Sequence, residues 1–93
     1  MEKWVIVNPA AGRGKVGRLS GAILKAARAE GARAFLTEGP GHATELAQRA
    51  PEGARVVAVG GDGTVHEVLK GLAGTGRARG VVPLGSGNDF ARM

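Results

Sequence analysis

The chain has 93 residues, 43% of them apolar, and a formal net charge of +5 at pH 7, which suits one small globular domain and leaves no room for two. It has no cysteine, so a disulfide framework and thiolate metal sites are excluded. No apolar run approaches a membrane span and the start carries no signal-peptide pattern, which points to a cytoplasmic protein.

Residues 3–8 are expected to form a buried strand around the β-branched pair Val5 and Ile6. Pro9 pushes Asn8 towards extended geometry, so the strand should exit into the loop Ala10-Ala11-Gly12-Arg13-Gly14. A helix follows, with Leu19, Ala22, Ile23, Ala26 and Ala27 at the spacing of one buried stripe and Gly31 placed to end it. Residues 33–37 read as a second strand, and Glu38-Gly39-Pro40-Gly41 leads to a shorter helix with the stripe Ala43, Leu46, Ala47 and Ala50, stopped by Pro51. A third strand spans 55–59, where Val56, Val57 and Val59 make a continuous apolar run. Gly60-Gly61-Asp62-Gly63-Thr64 then opens a third helix with the stripe Val65, Val68, Leu69, Leu72 and Ala73. Residues 81–84 form a fourth strand, and Gly85-Ser86-Gly87-Asn88-Asp89 leads towards a fourth helix.

The order β-α-β-α-β-α-β predicts an α/β domain: a three-layer, Rossmann-like parallel sheet with helices on both faces. With Trp4, Phe35 and Phe90 as the only aromatics, its core must be built from Val, Leu, Ile and Ala, which suits such a sheet. Ligands bind these sheets beyond the carboxyl ends of the strands. The three Gly-rich loops all fall there, and they are expected to gather on one edge.

Three glycines straight after a strand let backbone N–H groups approach a phosphate, and the following helix adds the positive end of its dipole. In Gly60–Thr64 the Thr64 hydroxyl can donate, and Asp62 can hold Mg2+ through water or orient a nucleophile. Thr64 and Glu67 also fit a capping box, which needs no ligand. The loop at residues 8–17 departs from the Walker pattern, since Gly14-Lys15 is followed by Val16. Gly12, Gly14 and Gly17 have dinucleotide-fingerprint spacing, yet no acidic residue ends the second strand where a ribose needs one; Thr37 and Glu38 come nearest. In Gly85–Asp89, Ser86 offers a hydroxyl, and Asn88 or Asp89 a helix cap. His42 and His66 have no partners at metal-ligand spacing, so no metal site is expected from them.

Taken together, Val7-Asn8-Pro9-Ala10-Ala11-Gly12, Gly60-Gly61-Asp62-Gly63-Thr64-Val65-His66-Glu67-Val68 and Pro83-Leu84-Gly85-Ser86-Gly87-Asn88-Asp89-Phe90-Ala91-Arg92 resemble the diacylglycerol kinase catalytic-domain family, which includes bacterial lipid kinases and sphingosine and ceramide kinases. The second motif is shared with NAD kinases; the third discriminates. The resemblance implies a nucleotide-binding N-terminal domain, here residues 1–93, followed in the family by a β-rich domain that holds lipid. It implies ATP and Mg2+ as cofactors and a nucleotide site at Asn8, Thr37, Gly60, Gly61, Asp62, Gly63, Thr64, Val65, His66, Glu67 and Ser86. The family often has threonine at the position of Ser86 and asparagine at that of His66.

Asp62 is the one candidate catalytic residue within the chain. Similar kinases carry the general base and further Mg2+-site residues in the second domain, so these 93 residues are expected to bind nucleotide without transferring phosphate efficiently. The acceptor implied is a lipid hydroxyl, diacylglycerol first, met at a membrane surface through that second domain, with the protein peripheral to the membrane. An NAD kinase and a stand-alone nucleotide-binding module remain open readings. Clusters at Arg13, Lys15 and Arg18 and at Arg77 and Arg79 favour anionic partners. Nucleic acid is not expected, because the basic charge lacks a stacking aromatic platform. A homo-oligomer is compatible with the sequence.

Overall fold

A computed structural model describes residues 2–73 and the strand at 82–84. Its elements in chain order are β1 (Lys3–Val7), α1 (Lys15–Ala29), β2 (Arg33–Leu36), α2 (His42–Arg49), β3 (Arg55–Val59), α3 (Asp62–Leu72) and β4 (Val82–Leu84). The strands form one sheet in the order β2-β1-β3-β4, and every pairing is parallel. Side chains alternate across β1 because strand periodicity is two. Trp4 and Ile6 join Val56 and Ala58 on one face, under Ala43, Leu46 and Ala47 of α2 and Val68 and Leu72 of α3. Val5 and Val7 join Val59 on the other, against Val16 of α1. Helices therefore cover both faces, as the α-β alternation predicts.

The α2 stripe is as expected, with Ala43, Leu46, Ala47 and Ala50 all buried. Two stripes differ from expectation. On α1 only Val16 is fully buried, with Ile23 and Ala27 packed partly beneath the helix; Leu19 is 37% exposed, and Ala22 and Ala26 face outward. A run of Ala and Leu on a helix gives little contrast, so the seam cannot be located from apolar spacing alone, and the true seam is centred on Val16. On α3 the buried stripe is Thr64, Val68, Gly71 and Leu72, whereas Leu69 is 43% exposed and Ala73 is exposed. Gly71 belongs to it because α3 crosses α2 there. A Cβ at Gly71 would meet the Thr44 carbonyl oxygen and would lie 2.8 Å from Ala47 Cβ.

The chain leaves β1 in one direction towards β2 and returns past it to β3. The carboxyl ends of β1 and β3 thus flank a topological switch, where open α/β sheets leave a crevice. Asn8 follows β1 there, and Gly60 follows β3.

Candidate functional site

At this edge lies a cleft of about 200 Å³ lined by Asn8, Ala10, Thr37, Gly39, Pro40, Ala43, Thr64 and Glu67. Three separate βα junctions supply these residues. Asn8 N–H donates to the Val59 carbonyl (2.9 Å) and Thr37 N–H to the Val7 carbonyl (2.8 Å), so each strand ladder carries one residue past its end and fixes a polar side chain at the rim. Asn8 then ties two junctions together. Its Nδ2 donates to Thr64 Oγ1 at 3.0 Å, while its Oδ1 accepts from Ala10 N–H at 3.0 Å. Thr64 and Thr37 are both buried. Thr37 Oγ1 has no hydrogen-bond partner among the described residues and lies on the cleft wall.

Gly60 owes its identity to Thr64. The threonine side chain folds back over the end of β3, and a Cβ at Gly60 would meet Thr64 Oγ1 and lie 2.8 Å from Thr64 Cβ. Gly61 is different. It is the N-cap of α3 with φ −90° and ψ −167°, and a Cβ there would enter open space.

The capping box expected from Thr64 and Glu67 is not formed. Helix α3 starts at Asp62, so Thr64 already lies inside it, and no side chain caps Gly61. Both Glu67 carboxylate oxygens instead lie 3.2 Å from the N–H of Gly41, the N-cap of α2, and the Glu67 carbonyl accepts from Thr44 Oγ1 at 2.8 Å. The reason is proximity: α2 crosses α3 so closely that Glu67 reaches the end of α2 more directly than the start of its own helix.

The three helix starts differ in what they offer an anion. Before α1, Gly14, Lys15 and Val16 N–H close onto the carbonyls of Ala10, Gly12 and Ala11, so the loop after β1 takes up these three donors itself. At α2, the Gly41 N–H carries the Glu67 carboxylate and His42 N–H bonds the Gly39 carbonyl, while Ala43 and Thr44 N–H have no acceptor among the described residues. At α3, Thr64 and Val65 N–H both bond the Gly61 carbonyl, whereas Asp62 and Gly63 N–H have no acceptor among the described residues. Two donors and a helix dipole thus remain open at α3.

Among the other expected site residues, Asp62, Gly63 and His66 are exposed on the first turns of α3, and Val65 packs partly into the core beside α2. Ser86 lies outside the described residues. Asn8, Thr37, Thr64 and Glu67 are brought together at the cleft. Sequence reasoning missed Ala10, Gly39, Pro40 and Ala43 as lining residues; the Gly39-Pro40-Gly41 turn after the second strand was the available signal. For Mg2+, Asp62 is an exposed carboxylate beside the open donors, and no group of three or more His, Asp or Glu able to hold a metal occurs among the described residues. The fit is that of a single carboxylate sharing the ion with water and phosphate oxygens, as Mg2+ commonly accepts. Among the described residues, no helix is long and apolar enough to cross a membrane.

The family model for the diacylglycerol kinase catalytic domain matches residues 2–93. The chain is 40% identical over 94 residues to a diacylglycerol kinase of Staphylococcus epidermidis (strain ATCC 35984), a match covering 95% of this chain and 30% of the relative. It is 46% identical over 56 residues to a diacylglycerol kinase of Bacillus subtilis (strain 168), covering 56% and 18%. A crystal structure of a diacylglycerol kinase from Bacillus anthracis str. Sterne aligns with a TM-score of 0.66 at 31% identity, over 98% of this chain and 35% of that one. The chain spans about a third of the length of the relatives it matches from end to end.

Proposed function

Because the chain belongs to the diacylglycerol kinase catalytic-domain family, we propose that it forms the nucleotide-binding part of a lipid kinase, which moves the γ-phosphoryl group of Mg-ATP to a lipid hydroxyl with diacylglycerol as the acceptor. The observation that carries this reading is the start of α3, where Asp62 and Gly63 N–H have no acceptor among the described residues, beside a cleft that joins three βα junctions. Phosphates belong at those donors, since the N-cap of α2 already holds the Glu67 carboxylate, which would repel them, and the loop before α1 turns Gly14, Lys15 and Val16 N–H onto its own carbonyls. Asn8 holds the Thr64 side chain in place, and the Thr37 and Thr64 hydroxyls give the cleft polar groups for the rest of the nucleotide.

Bound Mg2+ supplies charge neutralisation on the phosphate oxygens. Asp62 is the residue to hold it. In the transfer, the lipid hydroxyl oxygen bonds to the γ-phosphorus, the bond to the β-bridging oxygen breaks and ADP leaves. The hydroxyl proton passes to a general base that we place outside these 93 residues, together with the lipid site, in a second domain.

The test is label transfer from γ-labelled ATP to diacylglycerol in mixed micelles. A chain extended to the length of its relatives should transfer label and lose most of that activity on Asp62→Asn. Residues 1–93 alone should bind Mg-ATP without turnover. Robust, Asp62-dependent turnover by residues 1–93 would overturn the placement of the base, and no transfer by the extended chain to any lipid would overturn the kinase reading.

A further inference from the structure

Neither metal binding nor ligand contact accounts for His42. No group of three or more His, Asp or Glu able to hold a metal occurs among the described residues, and His42 is not part of the cleft lining. It is the first residue of α2 and is half-buried. Its side chain turns back along the chain. Nδ1 accepts from the Glu38 N–H at 2.9 Å, and the His42 N–H donates to the Gly39 carbonyl at 3.2 Å. A backbone N–H can only donate, so Nδ1 carries no proton and the imidazole is the neutral Nε2–H tautomer.

The segment gripped in this way is a wall of the cleft, which Thr37, Gly39 and Pro40 help to line. Two glycines beside Pro40 give the turn little shape of its own. It is set by what holds it. Thr37 N–H is tied to the Val7 carbonyl by the strand ladder, and Gly41 N–H to the Glu67 carboxylate. Between these two anchors, the His42 ring holds the turn.

We propose that His42 is a positioning residue of the cleft: its neutral imidazole keeps the turn from Glu38 to Gly41 in the shape that receives nucleotide, and protonation of the ring releases the turn and weakens binding. Nucleotide as the ligand rests on the proposed function; the grip on the turn rests on the two hydrogen bonds. A protonated Nδ1 is a donor facing another donor, the Glu38 N–H, so the bond is lost. The charged groups around the ring are the Glu38 carboxylate on the turn, Glu45 further along α2 with its ion-pair partner Arg49, and Glu67 from α3. Carboxylates and guanidinium keep their charge between about pH 5.5 and pH 8, the range over which histidine changes its own. A fall in affinity across this range that requires His42 is therefore a property of the ring.

The experiment is calorimetric titration of the full-length protein with Mg-ATP at the two ends of that pH range, comparing the wild type, His42→Asn and His42→Ala. An asparagine Oδ1 sits close to the place of Nδ1 and accepts a hydrogen bond at either pH. His42→Asn should match the wild type at the higher pH and bind about fivefold more tightly than it at the lower, the worth of one hydrogen bond. His42→Ala should bind about fivefold more weakly than the wild type at the higher pH and like it at the lower. Proton uptake elsewhere, at His66 or on the phosphates, is common to the three proteins and cancels in these ratios. Amide hydrogen exchange reads the grip without nucleotide: at the higher pH the Glu38 N–H should exchange faster in His42→Ala than in the wild type or His42→Asn. Wild-type affinity of His42→Ala at the higher pH, failure of His42→Asn to restore binding, parallel pH profiles for the wild type and His42→Asn, or unchanged Glu38 exchange would each overturn the proposal. Should Mg-ATP fail to bind the wild type while Glu38 exchange behaves as stated, the nucleotide reading fails and the grip of His42 on the turn stands.

Discussion

Asn8 and Thr64 are 56 positions apart, and one hydrogen bond between their side chains joins the first βα junction to the third. Each polar rim residue was legible because it sits next to a strand end or a helix start, where an open α/β sheet puts its ligands. The partner of Glu67 was not legible. Its spacing from Thr64 satisfies a local motif, and only the crossing of two helices reveals that the carboxylate serves Gly41 instead. Gly61 gives the sharpest test at this scale. Its backbone is extended and its surroundings are open, so Gly61→Asp fits without strain. Aspartate is also a favoured N-cap, worth about a few tenths of a kcal/mol over glycine. The substitution should leave thermal stability unchanged or slightly raised while abolishing Mg-ATP binding, because the new carboxylate takes up the open donors and repels phosphate. Calorimetric titration combined with a melting curve reads both. Wild-type affinity in a stably folded variant would refute the phosphate role of this turn.

At the scale of elements, glycines that look alike in sequence have opposite tasks. Gly71 lies where α3 meets the Thr44 carbonyl and Ala47 of α2, whereas a Cβ at Gly21 on α1 would meet nothing within 4 Å. Helix propensity favours alanine over glycine by about 0.8–1.0 kcal/mol, and overpacking costs about 1–3 kcal/mol. Gly21→Ala should therefore raise stability by about 1 kcal/mol, and Gly71→Ala should lower it by a similar amount, a contrast in sign that urea unfolding measures directly. Stabilisation by Gly71→Ala would mean that the two helices are not this close. The same crossing explains why the α3 stripe was misread: Leu69 has the hydropathy of a core residue but faces outward, and the helix buries Thr64 and Gly71 in its seam. The α2 stripe could be read correctly because Ala43, Leu46, Ala47 and Ala50 alternate with strongly polar neighbours. On α1, Ala and Leu lie on every side and the contrast is lost.

At the scale of the whole molecule, strand-loop-helix punctuation by glycine and proline was enough to specify a parallel sheet covered on both faces. The strand order was not read from the sequence. That order places the switch between β1 and β3, and with it the cleft. In the proposed function, ATP phosphates rest on the start of α3. The most direct measurement is a crystal structure of the full-length protein with Mg2+ and a non-hydrolysable ATP analogue. Phosphates should lie within hydrogen-bonding distance of Asp62 and Gly63 N–H, with the metal near the Asp62 carboxylate and the nucleotide running into the cleft past Asn8, Thr37 and Thr64. Phosphates seated at the start of α2, or a nucleotide bound at the amino ends of the strands, would contradict it.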